Sequence, residues 1–193
     1  AFLRMAAALG KKIRYNESVT SIDYENRVVN GEYKADRIIV TIPWNNIGKH
    51  INLSDKLYGN LKALKYSSVV TEYDPQMLDT KAHWIYYPDP QKRYHRILVR
   101  HNFCPGSKGY WTETNLTRYD EESAGKAGKT FFVNDYAYPL NTIGKQEIIK
   151  EFLDHTKSKQ IYGLGRWGQW QHFNSDVVMR LAMDLAGEML IKQ

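Results

Sequence analysis

Residues 161–176 read IYGLGRWGQWQHFNSD, and the reading of this stretch decides the fold. Gly163, Gly165 and Gly168 stand at the spacing G-x-G-x-x-G. As a dinucleotide fingerprint, that spacing needs a strand, a tight glycine turn and a helix starting inside the motif. It also needs an acidic residue ending a second strand about 20 residues further on. Here QIYG supplies a strand, but the next helix is expected only from about Asn174, after the bulky run QWQHF, and no second strand follows. The fingerprint fails on context. What remains is a strand, a glycine-rich bend carrying Arg166, an aromatic stretch with Trp167, Trp170 and Phe173, and a capped helix. Glycine lets a backbone approach a flat ligand closely, and a helix N-terminus offers free N–H groups and partial positive charge. Together they suit an anionic ligand edge; rings that merely pack in a loop are the competing reading.

Working outward, the last helix has Val177, Leu181, Leu185 and Met189 as an apolar stripe, with Arg180, Asp184 and Glu188 opposite and Asn174 or Ser175 as N-cap. Lys145 to His155 reads as a helix with Ile148, Ile149, Phe152 and Leu153 on one face. Upstream, YSSVVTEY, AHWIYYP, RILVR, GYWTET and KTFFVND are rich in β-branched and aromatic residues. Turn chemistry separates them at Asp74-Pro75, Asp89-Pro90, Pro105-Gly106 and Gly125 to Gly128, so they predict an antiparallel sheet. LSDKLYGNLKALK predicts a short helix capped by Ser54 or Asp55. The first 45 residues predict a packed helix over Ala1 to Leu9, short strands at Ile13–Tyr15 and Val19–Tyr24, a type I′ hairpin at Asn30-Gly31, and a buried strand in RIIVTIP ended by Pro43. A chain opening inside a packed helix is expected to be part of a longer one.

Composition is that of an ordinary soluble domain, with 42% hydrophobic and 25% charged residues and no apolar run of membrane-spanning length. Cys104 is the single cysteine, which excludes an internal disulfide and suits a reducing, cytoplasmic setting. The net charge of +6 fits an anionic partner, although the Lys and Arg residues are scattered. The six His show no metal-ligand spacing, and His95 and His101 read as surface residues. No G-x-S-x-G nucleophile elbow is present.

The ordered segments resemble a known superfamily. ADRIIVTIPW is similar to the strand by which amine-oxidase-like flavoproteins return to their FAD domain, and GRWGQWQHFNSDVVMRLAMDLA to their last FAD-binding segment. YPDPQKRYHRILVRHNF has the pattern of the UDP-galactopyranose mutase family at Tyr87, Asp89, Tyr94, Arg96, Ile97 and Phe103. AYPLN, with Tyr138 and Asn141, and LKYSSV, with Tyr66 and Ser68, resemble further mutase segments. The resemblance implies an α+β fold: an antiparallel substrate-domain sheet with flanking helices, plus the C-terminal remnant of a Rossmann-like FAD-binding domain. Residues 1–45 and 158–193 would belong to the FAD-binding domain, whose own G-x-G-x-x-G part is missing, and 46–157 to the substrate-binding domain. FAD is then the expected cofactor, not retained by this stretch alone, and a nucleotide sugar of polysaccharide biosynthesis the expected substrate. Nucleic acid is not an expected partner.

In that family, reduced flavin attacks the sugar's anomeric carbon and no net redox occurs. The resemblance gives Arg166, in the GR motif, a catalytic place near flavin and substrate, and makes Gly165, Arg166, Asn174, Ser175 and Asp176 cofactor contacts. It makes Arg96, Tyr138, Asn115 and Tyr87 substrate contacts. The chain departs from the family where a second diphosphate tyrosine falls near Thr114 and Asn115, and where Trp167 and Trp170 replace smaller or phenolic groups. Two alternatives stay open: an amine-oxidase-type oxidoreductase of the same superfamily, and a non-catalytic carbohydrate- or nucleic-acid-binding domain using Lys92, Arg93, Arg96 and Arg100.

Overall fold

The computed structural model describes residues 2–120 and 130–191. In chain order the elements are α1 (Phe2–Leu9), β1 (Ser21–Asp23), β2 (Val28–Val29), β3 (Tyr33–Lys34), β4 (Ile38–Val40), β5 (Lys49–Ile51) and α2 (Asp55–Ala63). Then come β6 (Tyr66–Asp74), β7 (Trp84–Tyr86), β8 (Arg96–Val99), α3 (Arg100–Phe103), β9 (Tyr110–Asn115) and β10 (Phe131–Pro139). The chain closes with α4 (Lys145–Ser158), β11 (Ile161–Gly163), α5 (Gly165–Gly168) and α6 (Ser175–Ile191). This is an α+β protein in two compact units, residues 1–63, 146–169 and 175–193 forming one and 64–145 with 170–174 the other. Residues 46–63 and 146–157, assigned from the sequence to the sheet domain, fall in the first unit by compactness. Among the described residues, no helix is long and apolar enough to cross a membrane.

In the first unit, β1 pairs parallel with β5 and antiparallel with β2, and β2 pairs with β3. Asn30 and Gly31 both take positive φ, as a primed hairpin turn requires. The Asn30 side chain also accepts from the Thr20 N–H at 2.8 Å and donates to the Ser18 carbonyl at 2.9 Å, which pins the turn to the preceding chain. Ile13–Tyr15 forms no strand; only Ile13 is half-buried, while Arg14, Tyr15 and Asn16 are exposed, so alternation there finds little surface to bury against. RIIVTIP yields only three strand residues. Val40 is buried but Ile39 is 46% exposed, since β4 has one described neighbour, the parallel β11. α1 forms as expected from Phe2, yet it is not packed: Leu3 is 88% exposed. The core is an aromatic stack. Phe152 on α4 meets Trp44 edge-on at 4.8 Å and Tyr24 at 6.4 Å, with Ile22, Leu61 and Ile161 buried as well.

The glycines of the opening stretch are explained inside this unit. A Cβ on Gly163 would sit 2.7 Å from Leu153 Cδ2 and inside contact distance of the Gly168 carbonyl oxygen. A Cβ on Gly168 would collide with the Val40 carbonyl oxygen. Trp44 Nε1 donates to the Gly168 carbonyl at 2.8 Å. Bare backbone at these positions lets β11, α5 and β4 close on one another. A helix does start inside the motif, contrary to the expectation of a plain bend, but it runs only four residues, and Gln169 ends it. On α6 the half-buried side chains are Val178, Leu181, Ala182, Leu185 and Met189; Val177, expected to open the stripe, is exposed. Val178 holds that place because it packs at Gly165, where an added Cβ would lie 3.3 Å from its Cγ1.

The second unit is a five-stranded sheet of order β10-β6-β9-β8-β7, antiparallel at every pairing. All five strands expected from the sequence are present, although the expected turn at Gly125 to Gly128 lies outside the described residues. Strand alternation buries Ile97 and Val99 and leaves Arg96 and Leu98 on the other face. Val69, Val70, Ala137 and Leu64 complete the apolar core with Trp170, whose Nε1 donates to the Lys65 carbonyl at 3.3 Å. Lys145 is buried with its Nζ on Asn141 Oδ1 at 2.7 Å, and burial holds its pKa below the ordinary lysine value.

Candidate functional site

The sheet register sets Tyr86, Arg96, Glu113 and Thr71 opposite one another across four strands. Directly opposed residues are the pairs that interact in a sheet. Arg96 Nε and Nη2 both donate to Glu113 Oε2, at 3.0 and 2.5 Å. Nη1 donates to the Tyr86 hydroxyl at 3.4 Å and Nη2 to the Tyr138 hydroxyl at 3.3 Å. The guanidinium carbon also lies 5.0 Å from the Trp84 ring centroid and 5.7 Å from that of Tyr86. The two charged side chains are only 14% and 13% exposed. Burial opposes the charge on Arg96, but hydrogen bonds to Tyr86 and Tyr138 and the Glu113 carboxylate more than offset it. Its pKa therefore lies above the ordinary arginine value.

Beside this cluster lies a cavity of about 300 Å³, lined by Ser67, Val69, Arg93, His95, Asn115, Arg118 and Tyr138. Arg93 is paired with the buried Glu72 at 2.6 Å. Asn115 ends β9, and its Oδ1 accepts from the Thr117 N–H at 3.0 Å and hydroxyl at 2.8 Å. The oxygen is committed to that turn, so the amide N–H pair is what Asn115 can offer a ligand. The Tyr138 ring stacks on His172 at 5.7 Å with planes 10° apart, and His172 Nε2 donates to the Pro139 carbonyl. That contact ties the segment before α6 to the end of β10.

Of the residues singled out from the sequence, Arg96 and Tyr138 meet, and Asn115 lines the same cavity as Tyr138. Tyr87 lies elsewhere: its ring packs edge-on against Tyr94 at 5.2 Å, and Tyr86 makes the contact with Arg96. Strand parity explains the exchange, since Tyr86 and not Tyr87 is opposite Arg96. Thr114, near which a family tyrosine would fall, is fully buried. In the other unit, Gly165 opens α5 with φ +76°, and its N–H donates to Gln169 Oε1 at 3.1 Å. Arg166 is half-buried beside it, and Ser175 and Asp176 are exposed at the start of α6, preceded by exposed Asn174. Glu113, Tyr86 and His172 were missed by sequence reasoning. Glu113 had a signal: a lone acid inside a strand, one hairpin away from the arginine it neutralises. His95, read as a surface residue, lines the cavity. Of the four cations considered for nucleic acid, Arg93 and Arg96 are paired with carboxylates and Arg100 lies 6.0 Å from the Tyr73 ring.

Among solved structures, the chain is similar to a reduced UDP-galactopyranose mutase, with TM-score 0.71 and 18% identity over 88% of this chain and 45% of that one. It is also similar to an Exiguobacterium sp. 255-15 protein assigned as a protoporphyrinogen oxidase, with TM-score 0.53 and 13% identity over 77% of this chain and 41% of that one. At such identities the likeness speaks for the fold, and the chain spans less than half the length of either relative. No curated protein sequence matches. The profile of the flavin containing amine oxidoreductase family matches residues 3–163, from α1 through the whole sheet to β11. By that match, which takes in most of its length, the chain belongs to the flavin containing amine oxidoreductase family.

Proposed function

We propose that this chain is the substrate-sheet and closing portion of an FAD-dependent enzyme that isomerises a nucleotide sugar in the manner of UDP-galactopyranose mutase. The observation that carries the reading is the Arg96 cluster: a guanidinium locked by Glu113, Tyr86 and Tyr138 beside a cavity that also holds Arg93, Arg118 and Asn115. Planar, oriented donors of this kind suit a diphosphate, which accepts several charge-assisted hydrogen bonds at once. Arg96 and Tyr138 would hold the diphosphate, and Asn115 would add an amide donor. Residues 64–145 with 170–174 would form the substrate unit, and the remainder part of the FAD-binding one.

The residues present also fit a flavin. Asn174, Ser175, Asp176 and Val177 at the start of α6 are exposed, and a helix N-terminus suits a carbonyl-rich ring edge. Arg166 adds a cation beside Gly165, where the positive φ and the 3.3 Å clearance to Val178 Cγ1 disfavour a side chain. Reduced flavin, when bound, supplies the nucleophile. This chain's residues orient the sugar diphosphate and offset negative charge.

An amine-oxidase-type oxidoreductase is the second reading, favoured by the family profile itself. Turnover separates the two. The intact flavoprotein, reduced with dithionite, should interconvert UDP-galactopyranose and UDP-galactofuranose, measured by HPLC, and should be inactive when oxidised. Peroxide release from an amine, with no isomerisation under reducing conditions, would reject the mutase reading in favour of the oxidase.

A further inference from the structure

We infer that His95 is a positioning residue that sets, through Glu113, how much of the Arg96 charge is available to an anionic ligand. The proposal rests on the reading of the Arg96 cluster as a diphosphate site and deepens it. The backbone of His95 is held on both sides: its N–H donates to the Glu113 carbonyl at 3.0 Å, and its own carbonyl accepts from the Tyr87 N–H at 2.9 Å. This fixes where the side chain leaves the strand, and the ring lies with Nε2 3.8 Å from Glu113 Oε2. That is the same oxygen to which both Arg96 donors run. One carboxylate oxygen thus stands between a permanent cation and a switchable one.

With a neutral imidazole, Glu113 is spent on Arg96, and the pair adds little net charge to the cavity. With an imidazolium, Glu113 is shared between two cations. The site gains one positive charge, and the tie on Arg96 loosens toward the cavity that His95 itself lines. The charged and titratable groups around the ring, among the described residues, are Glu113 from β9, Arg96 from β8, Arg118 from the turn after β9, Arg93 from the loop before β8, and the Tyr138 hydroxyl of β10 in the same cavity. Burial is the largest influence and holds the imidazole below its ordinary pKa; Arg96 and Arg118 push the same way, and Glu113 opposes them. His95 is therefore neutral at pH 8 and takes up its proton only as pH falls below the ordinary imidazole range, so anion binding strengthens as pH falls. The ring is 42% exposed, which keeps the effect modest.

The test is UDP-galactose binding to the intact FAD-loaded protein at pH 5.0 and pH 8.0, by calorimetry, in wild type and His95→Gln. The diphosphate of the probe does not titrate in that interval. His172, stacked on Tyr138, is the other imidazole beside the site, and its contribution is common to both proteins. Wild type should bind about three- to fivefold more tightly at pH 5.0, and the gain should vanish in the variant. Parallel pH profiles in the two proteins would overturn the proposal. Absence of binding at either pH would instead reject the diphosphate site. The coupling is then decided by the NMR titration of the His95 ring: its pKa should fall in Glu113→Gln, or in Glu113→Asp if the amide variant does not fold. An unmoved value there would overturn the proposal as well.

Discussion

Replacing Gly163 or Gly168 with alanine should destabilise the first unit, and for a reason unrelated to ligand binding. Neither glycine adopts positive φ, so conformational freedom is not at issue; space is. The added methyl at Gly168 would meet the Val40 carbonyl oxygen inside contact distance and the Gly163 carbonyl carbon at 3.1 Å. At Gly163 it would meet the Gly168 carbonyl oxygen and, at 2.7 Å, Leu153 Cδ2. Overpacking of a core costs about 1–3 kcal/mol where side chains can yield. Here the obstacles are mainly backbone, which cannot rotate away, so the cost should reach about 3 kcal/mol at each position. Gly187, on α6, is the control: nothing lies within 4 Å of its added Cβ. Gly187→Ala should stabilise by about 0.5–1 kcal/mol through helix propensity. Urea denaturation followed by circular dichroism reads all three. Wild-type midpoints for Gly163→Ala and Gly168→Ala would refute the packing account and reopen a ligand-facing role for the glycine motif.

Other consequences follow from the same geometry. Trp44→Phe removes the hydrogen bond to the Gly168 carbonyl, leaving a buried acceptor unpaired, and should cost about 1–3 kcal/mol in denaturant titrations. Burial raises the pKa of Tyr24 above the ordinary value of 10.0, so its contribution to stability is complete below about pH 10 and is lost as pH rises beyond that. Tyr24→Phe should therefore show a shallower loss of stability between pH 9 and 11, and an unchanged slope would contradict the assignment. Arg96→Lys keeps the charge but loses the planar fork on Glu113, and should weaken UDP-galactose binding at least about tenfold with little change in thermal midpoint. Equal affinity in the lysine variant would count against oriented donors at this site.

Sheet strands were legible because turn residues punctuate them and β-branched residues fill them; β6 through β10 all lie where the sequence puts them. The hairpin at Asn30-Gly31 was legible from two residues. Less legible were features that depend on partners distant in sequence. RIIVTIP reads as a doubly buried strand, but its burial depends on neighbours on both sides, and β4 has only β11 among the described residues. The stripe on α6 was misjudged by one residue because Gly165, thirteen positions before Val178, admits that side chain. At the site, the types Arg, Tyr and Asn were visible in their motifs. The pairing of Arg96 with Glu113, and the choice of Tyr86 over Tyr87, are matters of register that only the assembled strands fix.

A crystal structure of the intact flavoprotein with UDP-galactose bound would test the account most directly. The account predicts the diphosphate within hydrogen-bond distance of Arg96 and Tyr138, with the Asn115 amide nitrogen turned toward it. A diphosphate seated away from this sheet, with the Arg96–Glu113 pair untouched, would contradict it.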